Sequence, residues 1–292
     1  MKYRMLAVDV DGTLTGPEGV VGGEVVDAVS AAQRAGLAIC LATGRSRAET
    51  LPVWRQLRLA APRLPLVVVG GAMVSEAEGG RTLYHHPIPA AVAQGFAKAL
   101  ADAGFCAMAL VDVWRHGVDY LLVKGGDMSA ARELWLAKTG AKVREVDGLD
   151  GSPAVLRINA VVARQEGEKL AEQLRRRFEG QLNVHAILAP NYGVFIVEAH
   201  AVGADKFTAI RYVAQGVGIA TGLIVAVGDD VNDLAMIRGA ALGVVMPTAP
   251  LSLQQATDYV AQAGLAAFIR ELITGKFDHY QRPAAGTGGI AP

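Results

Sequence analysis

The sequence predicts an α/β fold: a Rossmann-like, doubly wound parallel-sheet core interrupted by an inserted α+β domain. Three observations predict it. In the first and last thirds of the 292 residues, short continuously apolar runs alternate with longer amphipathic segments, as parallel strands joined by helices do. In the middle third that alternation gives way to paired short strands mixed with helices. Each outer third also carries an acidic motif directly after an apolar run, where open α/β sheets bind their ligands. With 52% hydrophobic residues the chain can bury one large core or two modest ones.

Met5–Val8 reads as the first strand. Glu24–Ala35 places Val25, Ala28, Val29 and Ala32 at helical spacing, Gly36 ends that helix, and Leu37–Ala42 is the second strand. Arg47–Leu57, with Pro52 near its start, is the next helix, and Leu66–Val69 is the third strand. These strands lack polar alternation, as expected where both faces are covered. Beyond Leu83 come a helix over Ile88–Ala103, a strand pair Phe105–Val111 and Val118–Val123 around a polar turn, and a helix over Ser129–Thr139. A strand at Val155–Val162, a helix at Glu166–Phe178 and strands at Leu182–Leu188 and Val194–Val197 complete the insertion. The α/β alternation returns with a helix at Lys206–Gln215, a strand at Leu223–Val227, a helix at Leu234–Gly239 and a strand at Leu242–Val245. Leu251–Ala256, Tyr259–Val260 and Leu265–Thr274 follow. The expected organisation is core over residues 1–84 and 201–280, an inserted domain over 85–200, and a disordered Gly/Pro/Ala-rich tail over 281–292.

Charge and cysteine content narrow the function classes. The 28 basic and 28 acidic residues cancel, so no excess positive field holds nucleic acid or an anionic membrane. Cys40 and Cys106 each sit in an apolar run, which fits buried free thiols and a reducing cytoplasm. The N-terminal apolar segment is too short for a signal sequence, and no run of about 20 apolar residues suggests a membrane span. Oligomeric state is not legible.

Asp9-Val10-Asp11-Gly12-Thr13-Leu14 follows the first strand. Residues i and i+2 of an extended backbone point to one side, so Asp9 and Asp11 can converge on one centre. Two close carboxylates repel unless a cation or a proton neutralises them, and hard oxygen ligands suit Mg²⁺. Thr13 can donate to an anion, although Asp, Gly and Thr are also ordinary turn residues. Thr43-Gly44-Arg45 occupies the same position after the second strand, where Thr43 either faces the same crevice or caps the following helix. Gly228-Asp229-Asp230-Val231-Asn232-Asp233 follows the strand Leu223–Val227 and carries no basic residue, an electrostatically poor arrangement without a metal. Asp230 is expected to cap the helix beginning near Val231, leaving Asp229 and Asp233 for an ion. Lys206 opens a helix, where the macrodipole disfavours a cation, and a functional role would explain it.

These signals, in this order, resemble the haloacid dehalogenase superfamily, and the insertion resembles the α/β cap of its Cof-type branch of sugar-phosphate, phosphoglycolate and sucrose-phosphate phosphatases. Glu198, eight positions before Lys206, agrees with that pattern. The resemblance implies a Mg²⁺-dependent phosphatase acting on a small phosphorylated metabolite. In it Asp9 is the nucleophile and Asp11 the general acid and base. Magnesium is held by Asp9, the Asp11 carbonyl and Asp229, with Asp233 supporting. Thr13, Thr43, Gly44, Lys206 and Asn232 bind or orient the phosphoryl group. Gly70-Gly71-Ala72 stands where many members have Asn-Gly-Ala, and Met246-Pro247-Thr248-Ala249 replaces Met-Gly-Asn-Ala. Alternatives are a phosphomannomutase-like phosphotransferase and a non-catalytic phosphate-binding module. Arg157, Asn159, His185 and Asn191 are polar candidates for substrate contact in the insertion, with surface roles as the competing reading. Trp114, Trp135 and Tyr192 offer a stacking surface or plain packing.

Overall fold

The computed structural model describes residues 1–282 except Pro17, residues 127–132, Trp135, residues 138–139, 164–165 and 190–193. The chain divides into two compact units. The first holds Met1–Thr43, Pro52–Pro65 and the chain from Ile210 onward, and the second holds Gly44–Leu51 and Leu66–Ala209.

A five-stranded parallel sheet organises the first unit. Its strands are β1 (Met5–Val8), β2 (Ala38–Leu41), β12 (Ile224–Gly228), β13 (Leu242–Val245) and β14 (Tyr259–Val260), in the order β14-β13-β12-β1-β2. β1, β12 and β13 are buried along their whole length, which explains their unbroken apolar runs. Val8 pairs with Leu41 on one side and with Val227 on the other, so β1 is central. The chain proceeds from β1 outward to β2 and then returns to lay β12 on the opposite side. That reversal puts a topological switch point between β1 and β12. Helix α1 (Gly23–Arg34) buries Ala28, Val29 and Ala32 and packs against the helix Leu265–Ile273. The thiols of Cys40 and Cys106 are free and buried, and burial pushes that of Cys40 up to about 12.

The expected disordered tail begins too early. Arg282 donates to Asp258 through Nε at 2.9 and 3.1 Å and to the Ile237 carbonyl at 2.9 Å, while Asp258 also accepts from Tyr280 Oη and the Gly243 amide. Gln281 and Arg282 are therefore part of the structure, and the remaining tail positions lie outside the described residues.

In the second unit, the third expected strand does not join the parallel sheet. β3 (Leu66–Val68) pairs antiparallel with β4 (Met73–Ser75), which pairs antiparallel with β5 (Thr82–His85). The reversal comes from three consecutive positive-φ residues, Val69 at +54°, Gly70 at +64° and Gly71 at +94°, of which the two glycines adopt the conformation without steric cost. A six-stranded sheet follows: β6 (Met108–Val111), β7 (Tyr120–Val123), β8 (Val143–Val146), β9 (Val155–Ala163), β10 (Leu182–Ala189) and β11 (Val194–Ala201), in the order β10-β11-β9-β6-β7-β8. β8 was not expected, because its pattern is short and charged. The polar turn between β6 and β7 is a short helix, Val113–His116, capped by the Asp112 carboxylate and ended by Gly117 at φ +70°. The helix expected over Ser129–Thr139 falls largely outside the described residues, as do Trp135 and Tyr192.

The faces of this sheet differ. A side chain on Gly167, which opens the helix Gly167–Arg177, would strike Phe195, so that helix lies on the Phe195 side of β11. Phe195 is in register with Val162, and Ile158 with Ala199, which gives that face its apolar row. Alternation then puts Arg157, Asn159, Glu198 and His200 on the opposite face, all of them buried.

Candidate active site

In the first unit the register of the parallel sheet assembles three motifs at one edge. The Asp9 amide donates to the Val227 carbonyl, the Ala42 amide to the Val8 carbonyl, and the Met246 amide to the Gly228 carbonyl. Asp9, Thr43 and Asp229 therefore leave the carboxyl ends of three neighbouring strands. The carboxylates of Asp9, Asp229 and Asp233 offer oxygens that all lie within 4.8 Å of one another. Asp9 and Asp233 are buried and Asp229 is half-buried.

Local contacts hold this group in place. Thr13 Oγ1 donates to Asp229 Oδ1 at 2.8 Å. Asp233 Oδ2 accepts the backbone amides of Asp229 at 2.9 Å and Asp230 at 3.1 Å, and Asp230 accepts the Val231 amide at 2.7 Å. Asp230 is the cap of the helical turn Val231–Asp233, as its place in the sequence suggests. Two glycines make room for the carboxylates. A Cβ on Gly12, at φ +75°, would lie 2.0 Å from Asp229 Oδ2, and a Cβ on Gly228 would lie 2.5 Å from the Asp233 carboxyl.

The donor set fits a hard divalent cation. Three carboxylates this close repel strongly in a partly buried site, and an oxygen-liganded Mg²⁺ is the counter-charge that relieves the repulsion. The Asp11 carboxylate is exposed and is not among the three, while the Asp11 backbone forms a bridge with Thr15. Asn232 is exposed. Thr43 is fully buried. The alternative of Thr43 as helix cap does not hold, because Ser46 and Glu49 form a reciprocal cap three residues on. The Ser46 amide donates to Glu49 Oε2 at 2.9 Å and the Glu49 amide to Ser46 Oγ at 3.3 Å. The S-x-x-E spacing was present in the sequence and marks this start.

In the second unit, Lys206 opens the helix Lys206–Gly216 with only 1% exposure. Asp205 caps that helix, accepting the Thr208 amide at 2.9 Å and the Thr208 hydroxyl at 2.7 Å, and its negative charge suits the helix N-terminus. Gly71 lies against the same turn: a Cβ there would be 2.1 Å from the Asp205 carbonyl oxygen and 2.7 Å from the Lys206 nitrogen. Gly71, which matches the glycine of the Asn-Gly-Ala pattern, thus gives the backbone its close approach to the lysine turn, and the departure falls on Gly70, which lies against His200.

Four of the polar candidates on the six-stranded sheet form one network or lie beside it. Arg157 donates to the Gly44 carbonyl at 2.8 Å and to Tyr120 Oη at 2.6 Å, and stands 3.3 Å from Glu198 Oε2. Burial works against the Arg157 charge, but Tyr120, Glu198 and Glu49 outweigh it and its pKa is raised. For Tyr120, by contrast, burial itself raises the pKa. Glu198 is in register with Asn159 on one side and with His185 on the other. His200 is a residue the sequence reading passed over. Burial pushes its pKa down to about 4, so its ring is neutral at pH 7, and Gly70 lies against its Nε2. Its i+2 spacing from Glu198 was the available signal. Asn191 lies outside the described residues, and Trp114 is 55% exposed.

Comparison with known proteins follows the same lines. The family described as haloacid dehalogenase-like hydrolase matches residues 6–264. A 5-amino-6-(5-phospho-D-ribitylamino)uracil phosphatase of Bacillus subtilis is 24% identical over 303 residues, covering 94% of this chain and 99% of the relative. A haloacid dehalogenase-like hydrolase from Bacteroides thetaiotaomicron superposes with a TM-score of 0.74 at 20% identity, covering 93% of this chain and all of the other. A subclass IIB sugar phosphatase of the same superfamily superposes with a TM-score of 0.71 at 20% identity, covering 92% and 98%.

Proposed function

Because the chain belongs to the haloacid dehalogenase-like hydrolases, we propose that it is a Mg²⁺-dependent phosphatase of a small phosphorylated metabolite, such as a sugar phosphate or a phosphoglycolate-like ester. The observation that carries this reading is the meeting of the Asp9, Asp229 and Asp233 carboxylates at the switch point of the parallel sheet.

Asp9 is the nucleophile. One of its carboxylate oxygens bonds to phosphorus as the bond from phosphorus to the leaving oxygen breaks, and the Asp11 carboxyl gives its proton to the departing alkoxide. The Asp11 carboxylate then takes a proton from water, which attacks the aspartyl-phosphate, frees Asp9 and releases inorganic phosphate. The scheme divides one hard displacement into two and uses a single second carboxyl as acid and then base. The exposure of Asp11 suits a group that must meet both the leaving alcohol and water. Asp9, the Asp11 carbonyl and Asp229 are the residues for Mg²⁺, with Asp233 orienting the loop that carries Asp229. When bound, the ion supplies charge neutralisation for the carboxylates and the phosphoryl oxygens. Thr13, Thr43, Gly44, Lys206 and Asn232 bind or orient the phosphoryl group.

Residues 85–200 are the cap in this reading, and specificity resides there, with Arg157, Asn159, His185, Asn191 and Glu198 as its polar residues. The sugar-phosphatase neighbour and the ribitylamino-uracil phosphatase relative support a polyhydroxylated leaving group. Net neutrality and two buried free cysteines support a cytoplasmic protein without a nucleic-acid or membrane partner. Among the described residues no helix is long and apolar enough to cross a membrane.

A panel of hexose, pentose, triose and glycolate phosphates with Mg²⁺ tests the proposal. Phosphate release that disappears in Asp9→Asn supports it. Sugar-phosphate isomerisation without net release replaces it with a mutase, and release of no phosphate from any ester removes it.

A further inference from the structure

Arg157 of β9 and Tyr120 of β7 both lie across from Leu110 of β6, so they project from one face of the sheet in a single row. From there the guanidinium reaches the loop after β2. One terminal nitrogen donates to the Gly44 carbonyl and contacts Glu198, and the other donates to the Tyr120 hydroxyl. Arg157 is buried, and its terminal nitrogens are occupied by protein partners, so it acts on this loop and not on bulk solvent. A buried ion pair of this kind contributes little net stability, because desolvation offsets attraction. Its effect is geometric.

A peptide unit is planar, so the Gly44 carbonyl and the Arg45 amide point in opposite directions. Holding the carbonyl therefore sets where the amide points. The peptide unit that follows is held at both of its polar groups by other residues. The Arg45 carbonyl accepts the Val69 amide at 2.8 Å, and the Ser46 amide donates to Glu49. Of these two consecutive peptide units, the first is the one gripped by a charged side chain of the six-stranded sheet.

We infer that Arg157, itself braced by Glu198 and Tyr120, is a positioning residue that sets the orientation of the Gly44–Arg45 peptide in the phosphate-binding loop. The inference rests on the phosphatase reading for the role of Thr43 and Gly44.

The test uses the full chain with p-nitrophenyl phosphate, inorganic phosphate as inhibitor, and amide hydrogen exchange. In Arg157→Lys, kcat/KM falls roughly 10- to 100-fold, the range implied by losing a hydrogen bond to a charged group. The inhibition constant for inorganic phosphate rises with it, and exchange across residues 44–51 accelerates while the parallel sheet exchanges as in the wild type. Glu198→Gln, which keeps an acceptor, shifts all three in the same direction by less. If Arg157→Lys does not fold, Glu198→Gln and Tyr120→Phe read the same quantities. Unchanged phosphate inhibition and unchanged exchange over 44–51 in a folded variant overturn the inference. A uniform rise in exchange along the whole chain also overturns it, since that is general destabilisation. A wild-type chain that hydrolyses no phosphoester sinks the phosphatase reading separately, and the exchange pattern still decides whether Arg157 orients the loop.

Discussion

Thr13 gives its hydroxyl proton to Asp229 at 2.8 Å, across 216 positions of sequence. The bond ties the loop after the first strand to the loop after the twelfth. It also fixes one oxygen of a carboxylate that stands close to that of Asp9. Replacing Thr13 with valine keeps the shape and removes the donor. The Mg²⁺ concentration for half-maximal activity should rise several-fold, with little change in thermal unfolding; a metal titration of activity reads the first and a thermal melt the second.

Asp9→Asn is expected to lower kcat by more than about 10³-fold while the protein remains folded, because removing a nucleophile disables the whole catalytic set. Single-turnover assays with acid quench should also lose the phosphorylated enzyme. Persistence of wild-type turnover would show that another group attacks phosphorus.

Gly12→Ala places a methyl in the position now filled by Asp229 Oδ2 and forces a left-handed backbone on alanine, which costs about 1–2 kcal/mol by itself. The carboxylate must move, so Mg²⁺ dependence should weaken more than overall stability. Calorimetric Mg²⁺ binding, with and without the substitution, measures the difference.

Gly71→Ala meets backbone atoms that cannot swing aside, 2.1 Å away at the Asp205 carbonyl. The expected result is a loss of stability on the order of 2–3 kcal/mol, in the upper range for single substitutions. Activity should fall further than stability, because the lysine turn shifts. Chemical denaturation paired with kinetics on the folded fraction separates the two.

Asp258 ties Arg282 and Tyr280 to the core. Burial raises its pKa, but the bonds from Arg282, the Gly243 amide and Tyr280 outweigh burial, and the net shift is downward. A lowered folded pKa means stability that is present above the unfolded carboxylate range and is lost as pH falls through the folded value. The difference in melting temperature between wild type and Asp258→Asn should therefore be largest near pH 7 and shrink on acidification below about pH 4. A difference that stays constant over that range would assign the loss to packing instead.

Much of the core was legible because its strands are buried on both faces and so read as plain apolar runs. Asp9 and Asp229 announced themselves by following such runs directly. The third strand misled because Leu66–Val68 is equally apolar, and the positive-φ run Val69, Gly70 and Gly71 turns it into a hairpin. Arg282 was lost in a compositionally disordered tail, since its partner Asp258 lies 24 positions away. The need for glycine at position 71 was not legible, because its reason is a contact with Asp205, far off in sequence.

By itself the sequence determined the types of the longer elements, the strand-end placement of the acidic motifs and the chemistry those residue types permit, since these depend on local periodicity and side-chain charge. Tertiary structure alone decided that Asp9, Asp229 and Asp233 share one small volume, and that Arg157 is spent on the Gly44 carbonyl and Tyr120. Those relationships depend on sheet order and register, which are set by packing among residues distant along the chain and leave no local trace.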